Sequence, residues 1–162
     1  MVSFQMKDDF TSEHKTLTIM ISVLASTGRY ILQPSLVEMH NNSREWLSAL
    51  ELWKKEVLFF QKLLDQHATQ IVDSEIKKQV DHFQHLITYY GGELISKLRK
   101  RLHHHEGKLA RMLREENESD TEYFSEHKEV MGEVEAFRKT FYQFKHDYIE
   151  FIEHGFSPYT LG

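Results

Sequence analysis

From Trp46 onward the apolar positions fall at Trp46, Leu50, Trp53, Val57, Phe60, Leu64, His67 and Ile71, in alternating steps of four and three residues. That alternation lines one stripe of an α-helix and is the a/d signature of helices packed in a left-handed bundle. Asn42 followed three residues later by Glu45 predicts the start of this helix, because an Asn side chain accepts from orphan first-turn amides and the Glu reaches back. A second stripe follows the polar stretch 66–73 and runs Ile76, Val80, Phe83, Ile87, Tyr90, Leu94, Leu98, Leu102, His105, Leu109, Met112. Its step 94-98-102 is four and four, a stutter that locally unwinds a supercoil. Gly91-Gly92 sits just before it and costs about 1 kcal/mol per glycine in a helix interior. The pair therefore marks a close backbone contact, a hinge or a break, and one long helix is the preferred expectation.

The third segment opens on Ser119-Asp120-Thr121-Glu122, a capping box. Its stripe is Tyr123, His127, Val130, Val134, Phe137, Phe141, Phe144, Tyr148 and Phe151, and Gly155 with Pro158 supplies the stop. The chain thus divides into an N-terminal segment 1–35 with one helix over about 9–32, a long-helix bundle 36–155 and a flexible tail 156–162. The expected fold is all-α, with long antiparallel helices in a coiled-coil-like three- or four-helix bundle. At 1.5 Å per residue the second helix spans about 65 Å, the third about 50 Å and the first only about 37 Å. The stripe Leu98–Met112 then lacks cover from the first helix. An apolar stripe of that length is an association site, so a homodimer is expected unless the N-terminal segment covers it.

Composition narrows the chemistry. The 162 residues contain no cysteine, which excludes disulfide-linked partners, thiolate metal sites and thiol nucleophiles. Only two prolines occur, at 34 and 158, which suits long helices. The apolar run Thr16–Ala25 is half the roughly 20 residues a membrane span needs, and Asp8, Asp9 and Glu13 precede it where a signal peptide carries positive charge. A cytoplasmic protein without membrane association is expected.

Residues 97–114 carry seven Lys/Arg and one Glu, whereas 115–135 carry nine Asp/Glu and one Lys. In a hairpin turning near 119 the two arms lie side by side and pair with each other, which argues against nucleic acid. No aromatic residue interleaves the basic run to stack bases. The net charge of −5 points the same way.

Eleven histidines stand out, since imidazole joined by carboxylate is the usual metal-binding chemistry of bundles. His82, His85, His146 and Glu150 are expected outward, and His67, His105 and His127 on core stripes. A turn at 119 brings His105, Glu106 and Glu133 to one level, where His14 or a second subunit would complete a shell for a divalent transition metal. In that register His127 pairs with residue 112 and lies about 10 Å too far along to join. Ferritin-like proteins use Glu-x-x-His on two helices, which this sequence lacks. The hemerythrin-like pattern fails as well: the sole His-x3-Glu is His146/Glu150, and no His-x3-His exists.

The stretches SREWLSALELWKKEVLFFQKLL and LRKRLHHHEGKLARML resemble segments of small bacterial helical-bundle proteins over about residues 40–153. The resemblance implies a bundle, carries no activity and leaves the N-terminal residues unmatched. No Gly-rich elbow, phosphate loop or dinucleotide fingerprint is present. The expectation is a self-associating bundle with a structural or binding role and no enzymatic activity, the alternative being a ferritin-like or hemerythrin-like bundle that binds metal through histidine and carboxylate.

Overall fold

The computed structural model describes residues 34–115 and 121–155, and these form α1 (Pro34–Ala68), α2 (Ser74–Thr88), a π-helical turn (Tyr89–Leu94), α3 (Ile95–Arg114) and α4 (Thr121–Gly155). α2, the π turn and α3 follow without interruption as one rod antiparallel to α1, and α4 returns parallel to α1. The ring contacts show this direction: Trp46 stacks on His127, Trp53 meets Phe137, and Phe60 meets Tyr148. The fold is an all-α bundle, with three rods among the described residues. None of the described helices is long and apolar enough to cross a membrane.

α1 begins at Pro34, well before the expected Asn42 cap, and Asn42 lies inside it. Proline is harmless in a first turn, because its missing N–H would have no intrahelical acceptor. With 35 residues, α1 extends about 52 Å, and its first turns reach the end of α3. There Leu36 packs with Leu109, Met112, Leu113 and Tyr123. The stripe Leu98–Met112 is therefore covered within the chain, and the argument for a homodimer from an exposed stripe loses its premise. The helix expected over 9–32, the Ser119–Asp120 part of the capping box and the tail 156–162 lie outside the described residues. Asp73 caps α2, its carboxylate accepting from the amides of Glu75 and Ile76 at 2.8 and 3.0 Å.

The glycine pair neither breaks the rod nor leaves it regular. The buried positions run Phe83, Ile87, Tyr90 and then Ile95, Leu98, Leu102, His105, Leu109, Met112. The step from Tyr90 to Ile95 is one residue longer than a heptad step, and the π turn absorbs the extra residue. Strict 3-4 alternation resumes at Ile95, so the stutter expected at Leu94 is an insertion one residue wide, with Leu94 half-buried. Gly91 allows the turn to approach α1: a Cβ there would lie 2.6 Å from Val57 Cγ1, whereas one on Gly92 would meet nothing within 4 Å. Gly91→Ala should therefore cost about 1 to 3 kcal/mol by overpacking against a stiff β-branched side chain. Gly92→Ala should instead gain up to about 1 kcal/mol from helix propensity. Paired urea melts check this, and equal effects at the two positions would dissociate the π turn from the Val57 contact.

The charged arms pair as expected. Arg101 bridges Glu129 at 3.0 Å and Glu133 at 2.8 Å, and Lys108 bridges Glu122 at 3.3 Å and also Glu126. Arg99 instead reaches Glu51 on α1 at 3.0 Å. Reversing Arg101 and Lys108 to Glu should lower stability by a few kcal/mol at most, because exposed pairs contribute about 0 to 1 kcal/mol each, and by less in high salt. Thermal melts at two salt concentrations measure it, and a loss that grows with salt would contradict the pairing.

Candidate functional site

The hydrophobic interior is in two parts. The larger is aromatic-rich and ends at Leu102 and Val130; the smaller joins Leu36, Leu109, Met112, Leu113 and Tyr123 at the other end. Between them lies a layer of buried polar side chains: His40 and Ser43 from α1, His105 and Glu106 from α3, and His127 from α4. Apolar residues seal both sides, so water has little access and every polar atom in the layer needs a partner from protein or ligand.

Two close contacts organise the layer. His40 Nδ1 is 2.6 Å from Glu106 Oε2, and His105 Nε2 is 2.9 Å from His127 Nδ1. The rings are clamped by aromatic stacking, His105 on Tyr123 at 4.3 Å with an interplanar angle of 2°, and His127 on Trp46 at 5.0 Å. Burial, reinforced by the neighbouring His127, lowers the pKa of His105 to about 4. Burial also lowers that of His127, against the opposing pull of Glu106 and Glu38. Both rings are neutral at pH 7. Burial, with Glu106 and Glu126 nearby, raises the Tyr123 phenol above its ordinary value, so it stays protonated.

The carboxylate partner sets which ring nitrogen of His40 donates. His40 donates its Nδ1–H to the Glu106 carboxylate. Glu126 Oε1 lies 4.0 Å from His105 Nδ1 and is itself held by Lys108, whose ammonium it stabilises. His105 and His127 share one hydrogen between Nε2 and Nδ1. His40 Nε2, His105 Nδ1, His127 Nε2 and Glu106 Oε1 are all buried and have no hydrogen-bond partner among the described residues, and the same holds for Ser43 Oγ. Imidazole nitrogens and a carboxylate oxygen without partners are thus held in a dry layer by contacts through the other polar atom of the same side chain. That arrangement is typical of metal ligands and their supporting shell.

Two of the four expected ligands lie in the layer. His105 and Glu106 are in the layer, and the outward placement of His82, His85, His146 and Glu150 agrees with their exposure. Glu133 is elsewhere, half-buried and paired with Arg101, and His14 lies outside the described residues. His127, set aside as too distant, is in direct contact with His105. Both errors have one cause: α3 and α4 face each other about one heptad away from the register that a turn centred on 119 implies. His40 and Ser43 were missed because the helix was started at Asn42. Continuing the heptad backward from Leu50 places Ser43 and Leu36 on the stripe, with His40 beside it.

Among the described residues, one group of three His or carboxylate side chains brings donor atoms within 4.8 Å of one another, namely Glu150, Glu153 and His154, all exposed. The interior donors are spaced more widely, and closing on a single ion requires their side chains to swing inward. No family model, curated protein or solved structure matches this chain.

Proposed function

We propose that this protein is a metal-binding helical bundle, in which His40, Glu106 and His127 hold a divalent transition ion and His105 orients His127. The observation that supports this reading is the set of buried, unpartnered imidazole and carboxylate atoms in a layer closed by apolar residues on both sides. Two imidazoles and a carboxylate without thiolate suit Zn²⁺, Fe²⁺ or Co²⁺ better than the hard ions Mg²⁺ and Ca²⁺, which prefer all-oxygen shells. The structural or binding role expected from sequence narrows to this: binding, with the ligands supplied by all three rods, so that the ion fastens α1 to α3 and α4.

Titration of chelator-treated protein with Co²⁺, followed by its visible absorption and by competition with Zn²⁺, tests the reading. One equivalent per chain is expected. It should be lost in Glu106→Gln and in His127→Leu, and retained in Glu133→Gln and in the surface variant Glu150→Gln/Glu153→Gln/His154→Gln. No binding, or binding that disappears only with the surface variant, would refute it.

A further inference from the structure

On the side of the bundle away from α2 and α3, α1 and α4 are bridged by Lys145 and Glu56 at 3.2 Å, with both side chains about a quarter to a third exposed. Side chains three and four residues away along a helix surround such a pair. On the outer side these are Leu52 and Phe59 around Glu56, and Tyr142 and Ile149 around Lys145. All four are exposed, at 59, 56, 68 and 49 % respectively. Four large apolar side chains thus frame one partly shielded ion pair, whereas isolated exposed hydrophobics are unremarkable.

We infer that this face is where a second copy of the chain docks, antiparallel, about a twofold axis lying in the interface at the level of the Glu56–Lys145 pair. An isologous contact requires a surface complementary to itself, and this one is. Leu52 and Phe59 are placed on either side of Glu56, and Tyr142 and Ile149 on either side of Lys145, so the twofold lays Leu52 over the copy's Phe59 and Tyr142 over its Ile149. The same operation sets Arg138 opposite the copy's Glu153. The charges agree: Glu150 and Glu153 form an exposed acidic pair beside His154. Arg138, whose only ion pair among the described residues is the exposed local one to Glu135, is free to turn toward it. Each Glu56 and Lys145 is neutralised within its own chain, so no unpaired charge is buried at the centre. Aromatic and apolar anchors with a charged rim have the anatomy of a specific interface. This inference is independent of the metal reading, since none of these residues lies in the polar layer.

Sedimentation equilibrium of the full chain over about 1 to 100 µM, a range suited to standard-size interfaces, tests it. A dimer is expected. Tyr142→Glu should raise the dissociation constant about thirtyfold or more, as loss of an interface anchor does, with an unchanged helical circular dichroism spectrum because Tyr142 is exposed. Arg138→Glu should weaken the dimer, and Arg138→Glu combined with Glu153→Arg should restore it. A monomer throughout the range would overturn the inference, as happens if the N-terminal residues or another protein occupy the face. A dimer indifferent to Tyr142→Glu, or a charge swap that restores nothing, would overturn it equally.

Discussion

Glu106→Ala is expected to lower the stability of metal-free protein by about 1 to 3 kcal/mol at pH 7.5, the usual cost of leaving a buried hydrogen-bonding group without its partner. The loss arises because His40 keeps a buried Nδ1–H with no acceptor once the carboxylate 2.6 Å away is gone. Removing both partners should behave differently. In His40→Leu/Glu106→Leu the layer becomes apolar between two clusters that are already apolar, and stability should return to near that of the parent or rise above it. Urea melts of the parent, His40→Leu, Glu106→Leu and the double variant complete the cycle. Additive losses would mean that the two side chains do not act as a pair. If leucines replace the layer without loss, stability alone does not explain it, and that outcome would strengthen the case that its donors are kept for a ligand.

Acid should weaken the fold through the same layer. Burial depresses the pKa of His105 from 6.5 to about 4, so between those values the unfolded chain takes up a proton that the folded chain refuses. Stability is therefore complete above about pH 6.5, falls as the pH is lowered, and has lost this contribution by about pH 4. With about 1.4 kcal/mol per pKa unit, His105 alone accounts for about 3 kcal/mol over that window. His127 adds a loss of the same sign, since its pKa is also lowered. Other carboxylates titrate in this range, so the readout is a difference: His105→Gln keeps a polar side chain, removes the titration, and should flatten the stability-pH curve between pH 6.5 and 4 by about 3 kcal/mol relative to the parent. Parallel curves for parent and variant would show that His105 takes up its proton in the folded state as readily as in the unfolded one.

The stripes that build the bundle were legible in the sequence because heptad spacing is a direct consequence of helix geometry. Phe60, Phe83 and Phe141 are buried where the 4-3 pattern places them. Helix ends and relative register are less local. The start expected at Asn42 rests on a local capping signal, whereas α1 begins at Pro34, where Leu36 packs with Leu109 and Tyr123. The facing of α3 and α4 depends on a connection whose geometry the heptads do not encode, and a shift of one heptad preserves every a/d contact while exchanging every polar partner. For that reason the apolar core was recovered while the polar layer was recovered only in part, with His105 and Glu106 found, Glu133 substituted for His127, and His40 overlooked. The π turn shows the same limit, since its signature in sequence, two glycines before a 4-4 step, fits a stutter as well as an inserted residue.

The central claim is that His40, Glu106 and His127 form a metal site inside the bundle, and X-ray absorption at the zinc edge of Zn²⁺-loaded protein tests it most directly. The account predicts a shell of nitrogen and oxygen at about 2.0 to 2.2 Å, with the outer-shell scattering of at least two imidazoles, which His127→Leu reduces by one ring or abolishes along with the metal. A shell of carboxylate and water oxygens without imidazole, unchanged by His127→Leu, would contradict it.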